Sequence, residues 1–266
     1  MSTLTISTIQ TNLYWEDTAA NLSMLENKIR SISEKTEIVV LPEMFATGFT
    51  MNASKFAETM EGNTVQWMKN ISHEQGIILT GSTIIEEAGQ YFNRMIWMLP
   101  NGQFGHYDKK HLFGYAGEDK TYTAGHKRLI ASVKGWKINL QICYDLRFPV
   151  WARQQMSASP AQPEYDVLIY VANWPAKRSH AWKTLLCARA IENQCYVIGV
   201  NRVGHDGNQH EYSGDSLVID PLGEVLYHMA HSEEVFTVTL EKEKLEETRK
   251  TFPFLTDADS FSIHPL

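Results

Sequence analysis

A thiol, a carboxylate and an ammonium each stand at the end of a strand-like segment in this sequence, and together they form a set that can attack and cleave an acyl bond. Cys143 closes the run Ile138-Asn139-Leu140-Gln141-Ile142 and leads into Tyr144-Asp145-Leu146-Arg147-Phe148-Pro149. The alternation of apolar and polar residues reads as a strand, so the thiol is delivered onto a turn. Leu146 to Gln155 is compatible with a helix, and its first-turn amides would lower the thiol pKa from a free value of about 8.5 and cradle an oxyanion. A lone strand-end cysteine is more often structural, but two other segments change that balance. Glu37-Ile38-Val39-Val40-Leu41-Pro42-Glu43 is a short buried-type strand that stops at a proline and presents a carboxylate. Tyr107-Asp108-Lys109-Lys110-His111-Leu112-Phe113 ends another strand in two lysines.

At these three segments the chain resembles the nitrilase superfamily of carbon–nitrogen hydrolases, whose Glu-Lys-Cys triad lies in motifs written here as LPEMF, YDKKHLF and ICYDLRFP. The likeness runs from Thr5 to about Leu240. It implies Glu43 as general base and Cys143 as nucleophile, and it selects Lys109 over Lys110 because the lysine of the family stands two residues before the histidine. Glu118, seven residues ahead of Gly125, matches a further glutamate that supports the lysine or the leaving group. His111 is structural in that scheme. Within the superfamily the pattern looks most like the omega-amidase branch, which hydrolyses the terminal amide of 2-oxo dicarboxylic acid monoamides such as 2-oxoglutaramate and 2-oxosuccinamate. An N-carbamoyl amine hydrolase, a nitrilase and a catalytically inactive interaction module stay open as alternatives.

Amide hydrolysis needs a nucleophile, a proton shuttle for the leaving ammonia and positive charge near the tetrahedral oxygen. Cys143 would form a thioester while Glu43 moves the proton and later activates water. The Lys109 ammonium and the Tyr144 backbone N–H would hold the oxyanion. Arg147, four residues beyond Cys143, is suited to a bidentate grip on a substrate carboxylate; its alternative role is an ion pair with Asp145. Trp174 and Arg178, in Val171-Ala172-Asn173-Trp174-Pro175-Ala176-Lys177-Arg178, supply an apolar wall and another cation. Phe45 and Phe49, just beyond Glu43, narrow the pocket.

Composition bounds the partners. The 266 residues carry a formal net charge of −7, without the basic stripe of nucleic-acid binders. No run approaches the roughly 18 apolar residues of a membrane span, and the first residues lack a basic segment followed by an apolar one, so the expectation is a cytoplasmic protein acting on a small-molecule amide. Three cysteines without paired spacing argue against a disulfide framework. His205 and His210 flank Asp206, but Gly204 and Gly207 put them in a loop without zinc-site spacing, so neither metal nor cofactor is expected. The chain has no GxxxxGK[ST] P-loop, which disfavours a glutamine-dependent synthetase.

Strands and helices alternate along the chain. Thr5 to Thr11 reads as a strand; Leu22, Leu25, Ile29 and Ile32 recur at helical spacing before the Ile38 strand. A helix over Thr64 to His73 precedes the strand Ile77 to Thr80, and Pro100-Asn101-Gly102 joins the strands Tyr91 to Leu99 and Gln103 to Lys109 as a hairpin. Asp166 to Asn173 and Tyr196 to Asn201 read as strands around a helix from His180 to Asn193, and Pro221-Leu222-Gly223 marks a second hairpin. We read one domain over 1–266, with 251–266 as an arm carrying Phe252, Phe254, Leu255, Phe261 and Pro265. Periodicity alone does not choose between a doubly wound sheet and two stacked sheets. The resemblance implies an α/β fold, a four-layer α-β-β-α sandwich that dimerises through helices and the carboxyl-terminal arm.

Overall fold

A strand buried on both faces carries apolar residues at both parities, and Ile38-Val39-Val40 is such a strand. In the computed structural model, which describes residues 2–156 and 162–263, Ile38 and Val40 face one core while Val39 faces another. The strands are β1 (Thr3–Gln10), β2 (Ile38–Val40), β3 (Ile78–Glu87), β4 (Gln90–Met98), β5 (Phe104–Asp108), β6 (Ile130–Val133), β7 (Trp136–Ile142), β8 (Val167–Ala172), β9 (Tyr196–Asn201), β10 (Val203–His205), β11 (Glu211–Ile219), β12 (Val225–Ala230) and β13 (Glu234–Glu241). The helices are α1 (Thr18–Arg30), α2 (Ala53–Phe56), α3 (Asn63–Gln75), α4 (Pro149–Ala152), α5 (Ser179–Asn193) and α6 (Lys242–Thr251).

Among the described residues these form two sheets. One has six strands in the order β13-β1-β2-β3-β4-β5; the other has seven, β10-β11-β9-β8-β7-β6 with β12 also paired to β11. Each has a parallel centre, β1-β2-β3 and β7-β8-β9, and antiparallel strands on either side. The sheets stack through one continuous core that joins Leu4, Ile6, Met95 and Trp97 to Ile138, Leu140 and Ile142. On the outer face of the first sheet, Leu25 and Ile29 of α1 and Val65, Met68 and Ile71 of α3 cover Val39, Ile96 and Met98. Trp182, Leu186 and Ala190 of α5 cover the second. The layers are therefore helix, sheet, sheet, helix, as the resemblance implied.

Local signals set the helix ends. Asp17 caps α1 by accepting the Ala20 N–H at 3.0 Å, which satisfies one of the amides a helix start leaves free. Gly76, at φ +66°, ends α3 in the left-handed region.

One expectation changes, and several elements are new. Leu146 to Gln155 is not one helix: a 3-10 turn over Cys143–Arg147 is followed by the single turn α4. Pro149 has no N–H to continue the first turn and starts the second instead. The short strands β6 and β10, together with β13 and helix α6, were not foreseen. The arm begins where α6 ends; Leu255 is buried, while Phe252 and Phe254 stay exposed. Pro265 lies outside the described residues. No helix among the described residues is long and apolar enough to cross a membrane.

Leu140, on β7, lies fully buried between the sheets. Leu140→Ala should cost about 2 to 5 kcal/mol, and urea unfolding followed by far-UV circular dichroism and tryptophan fluorescence should show one shared transition. Two separated transitions would mean that the sheets unfold as independent units.

Candidate functional site

Four chain segments meet where strands of the two sheets end. Pro42 follows the parallel strand β2, and the chain turns through Met44 at φ +44°. The Met44 N–H donates to Ser82 Oγ (2.9 Å) and the Phe45 N–H to the Ser82 carbonyl (3.0 Å), so the turn is tied to β3 and Glu43 points inward. Lys109 directly follows β5, its N–H donating to the Asn93 carbonyl at 3.0 Å. Gly125 secures that end, accepting no side chain because a Cβ there would lie 2.1 Å from the Asp108 carbonyl oxygen. Its N–H donates to the Lys109 carbonyl at 2.9 Å.

Glu43, Lys109 and Glu118 are each 0% exposed. Lys109 Nζ donates to Glu43 Oε1 at 2.8 Å and to Glu118 Oε1 and Oε2 at 3.0 and 2.9 Å. Asn93 Nδ2 bridges the two carboxylates, at 2.8 Å from Glu43 and 3.3 Å from Glu118. The Asn173 N–H reaches Glu43 Oε2 at 2.8 Å, and the Phe113 N–H reaches Glu118 Oε2 at 2.5 Å. Burial by itself pushes the Lys109 ammonium towards neutrality, but the charges of Glu118 and Glu43 outweigh it and hold its pKa above the usual lysine value. Burial likewise raises the Glu118 carboxyl, opposed by Lys109 and reinforced by Glu43.

Cys143 ends β7 at φ +45°, a left-handed conformation that costs a non-glycine residue energy and persists only where its surroundings impose it. Here they do. Asp145 Oδ2 accepts the Ile142 N–H (3.0 Å) and the Tyr107 hydroxyl (2.7 Å), and its Oδ1 accepts the His111 N–H (2.9 Å) and lies 2.8 Å from His111 Nδ1. The Trp151 indole N–H donates to Tyr107 Oη at 2.9 Å. This buried network fastens the cysteine turn to the segment that carries Lys109. Burial, and then the charge of Glu43, raise the Cys143 thiol well above its usual pKa despite Lys109. The expected lowering by helix amides is therefore reversed: the helix is absent, and two carboxylates face the sulfur.

The site opens into a cavity of about 460 Å³, within the range of small-molecule sites. Lys109, Cys143, Tyr144, Arg147, Trp174 and Arg178 line it, with Phe49, Tyr115, Asn173 and Tyr212. Among the described residues no three His, Cys, Asp or Glu side chains converge as a metal site.

The carbon–nitrogen hydrolase family model matches residues 5–250. The chain belongs to the carbon–nitrogen hydrolase family. Omega-amidase YafV of Yersinia enterocolitica is 42% identical over 264 residues, covering 99% of this chain and 100% of the relative. The 2-oxoglutaramate amidase of Bacillus subtilis is 32% identical over 256 residues, covering 95% and 96%. Among solved structures, XC1258 from Xanthomonas campestris, a CN-hydrolase superfamily protein with an arsenic adduct in its active site, is 43% identical, with a TM-score of 0.97 and coverage of 99% and 100%. Nit3 of Saccharomyces cerevisiae, a member of branch 10 of the nitrilase superfamily, is 26% identical at a TM-score of 0.84, covering 94% of each chain.

Of the site residues expected in this hydrolase, Glu43, Lys109, Glu118, Cys143, Tyr144, Arg147, Trp174 and Arg178 come together at the cavity and its base. Phe45 does not: it is fully buried in the helix-side core, 5.9 Å from the Trp67 ring, where the turn after Glu43 directs it away from the cavity. Phe49 lines the cavity in its place, its ring 5.1 Å from Lys109 Nζ. Arg147 is not paired with Asp145, whose oxygens are taken up by Tyr107, His111 and Ile142; the guanidinium instead lies over the Trp174 ring at 5.0 Å. Arg178 lies over Phe113 at 5.2 Å. The sequence reading missed Asn93, Tyr107 and the clamping role of Asp145. Asn93 sits mid-strand with no motif around it, whereas an aspartate two residues past a strand-end cysteine is a turn-capping signal that was available.

Because the free thiol is pushed up, it is protonated near neutral pH. The ultraviolet thiolate absorbance of wild type minus that of Cys143→Ala should stay flat from acid to about pH 8.5, the ordinary thiol value. A titration step at about pH 6 to 7, in the range of thiols lowered by their surroundings, would mean a thiolate already formed at neutral pH.

Proposed function

We propose that this carbon–nitrogen hydrolase is an omega-amidase, hydrolysing the terminal amide of a 2-oxo dicarboxylic acid monoamide such as 2-oxoglutaramate or 2-oxosuccinamate to the 2-oxo acid and ammonia. The observation that carries the reading is the buried Glu43–Lys109–Glu118 cluster beside Cys143, at the base of a cavity lined also by two guanidinium groups. The names of the relatives from Yersinia enterocolitica and Bacillus subtilis support the substrate class.

The chemistry follows from the geometry. The neutral Cys143 thiol gives its proton to Glu43 as the sulfur attacks the amide carbon, so charge is not stored on a buried sulfur. An ammonium has three donors; one to Glu43 and one shared between the two oxygens of Glu118 leave the third for the developing oxyanion. The Tyr144 N–H, in the first turn of the 3-10 segment where amides lack intrahelical acceptors, is the second oxyanion donor. Glu43 passes the proton to the departing nitrogen, which leaves as ammonia and gives a thioester at Cys143. Water then attacks the thioester, Glu43 takes its proton, and the thiol is restored as the acid departs. Glu118 holds Lys109 in place throughout.

Arg147 and Arg178 are the groups we assign to the carboxylate end of the substrate. The exposed Phe252 and Phe254 rings, 5.6 Å apart, are our reason for reading the arm as a contact in a homodimer, and three free cysteines suit the reducing cytoplasm.

A panel of 2-oxoglutaramate, an N-carbamoyl amine and an aliphatic nitrile, assayed for ammonia, separates the readings: turnover of the first should dominate. Preference for the carbamoyl compound or the nitrile would replace the omega-amidase reading, and no turnover of any would favour the inactive module. Cys143→Ala should abolish activity, and hydroxylamine should divert the wild-type thioester to a hydroxamate. Lys109→Ala should cost about two decades or more in kcat, whereas Lys110, whose Nζ lies over the Trp151 ring at 5.6 Å, should be replaceable by alanine with little loss. Equal losses would undo the choice of lysine.

If Arg147 holds the carboxylate, Arg147→Lys and Arg147→Met should each lower kcat/KM for the 2-oxo monoamide by about one to two decades. A neutral amide of similar length should lose far less. Equal loss on both would make Arg147 a positioning residue for the cysteine turn.

A further inference from the structure

In the sequence His205 and His210, flanking Asp206, read only as metal ligands without zinc-site spacing, yet Asp206 and His210 both line the cavity. They occupy the turn of the hairpin formed by β10 and β11, which pairs His205 with Glu211. The turn is built around one carboxylate. Asp206, almost completely buried, accepts the backbone N–H groups of Asn208 (2.8 Å) and His210 (2.9 Å) on Oδ1, and the Tyr212 hydroxyl (2.9 Å) on Oδ2. Oδ2 also lies 3.3 Å from His210 Nδ1. A carboxylate is an acceptor, so Nδ1 carries the hydrogen, and the ring nitrogen left for a ligand is Nε2. The His210 side chain is 59% exposed.

The hairpin tip is seated firmly. A Cβ on Gly207 would lie 2.3 Å from Trp15 Nε1, and Trp15 is itself part of the cavity wall. Behind the tip, the buried Arg202 guanidinium stacks over Tyr212 at 4.8 Å and donates to the His205, Leu13 and Val203 carbonyls.

The base of the cavity and its lining differ in charge. At its base two carboxylates surround one ammonium, a net negative end that repels a substrate carboxylate. Arg147, Arg178 and His210 are the remaining basic side chains of the lining, and Asp206 is its other acid, with both oxygens engaged by its own turn. An amide whose other end is anionic is thereby given one orientation, with the amide at the thiol and the carboxylate towards the basic groups.

We propose that His210, oriented by Asp206, is a specificity-determining residue that contacts the anionic 2-oxo acid end of the substrate through Nε2, alongside the arginines. This rests on the omega-amidase reading and adds to it a histidine that selects the substrate. The interaction acts on recognition because His210 has no bond to Glu43, Lys109 or Cys143; among the described residues its one charged partner is Asp206.

The test is the ratio of kcat/KM on 2-oxoglutaramate to that on a neutral primary amide of the same chain length, measured for wild type, His210→Gln and His210→Arg. Because glutamine cannot offer a charged donor to the substrate carboxylate, His210→Gln should lower the ratio about tenfold or more, mainly through KM on the anionic substrate. His210→Arg, which supplies a cationic donor at the same position, should recover most of it. An unchanged ratio in His210→Gln overturns the proposal, as does an equal fall in both variants, which would assign His210 to the shape of the turn. If wild type itself shows no preference for the anionic amide, the omega-amidase reading fails and the role of His210 fails with it. A wild-type preference that survives His210→Gln removes the histidine alone.

Discussion

Two carboxylates buried on a single ammonium are the constraint around which this structure is arranged. Taking an ion out of water costs several kcal/mol even after relaxation, and the mutual attraction of a pair repays it only with good geometry and added hydrogen bonds. Glu43, Lys109 and Glu118 have no exposed surface, so compensation must come from the protein. Asn93 bridges the acids, Asn173 and Phe113 offer backbone N–H groups, and the ammonium is shared. Each of these groups sits on a different segment. The ends of β2, β5 and β8, the middle of β4 and the 113–118 loop must all be in place at once, and stacking two sheets brings them together.

That cluster also decides the state of the nucleophile. A thiolate beside two carboxylates in a dry site would be a third negative charge, and the thiol is accordingly held protonated. Its ionisation is then best coupled to attack, with Glu43 as the acceptor. The turn that presents it is strained at φ +45° and is fixed from behind by Asp145, Tyr107, His111 and Trp151. These four residues do not line the cavity, but they set the spacing between the cysteine and lysine segments.

The cavity thus separates two tasks. Its base is acidic, desolvated and tightly bonded, which suits proton transfer. Its two arginines lie over aromatic rings, Arg147 on Trp174 and Arg178 on Phe113, so their planes are steadied while their charge is not spent on an internal acid. A substrate with one neutral end and one anionic end matches this polarity.

The sequence by itself located the strand ends that carry Glu43, Lys109 and Cys143 and the order of the strands that deliver them. Strands ending at Glu43, Lys109 and Cys143 are local patterns, as are the hairpin at Pro100-Asn101-Gly102 and the helix before Tyr196; these survive folding because nearest-neighbour chemistry fixes them. The helical periodicity of Leu22, Leu25, Ile29 and Ile32 likewise located α1. Tertiary structure decided what depends on the partner across a gap. Phe45 and Phe49 are indistinguishable by type, and only the turn at Met44 sends one into the core and the other to the cavity. The helix expected after Leu146 is broken at Pro149, while the turn before it is held by Asp145, which bonds Tyr107 and His111, residues more than thirty positions away. Arg147 was freed from Asp145 by the same claim. The thiol pKa moved against the local expectation because it is set by burial and by charges on other strands, and no window of sequence around Cys143 contains them.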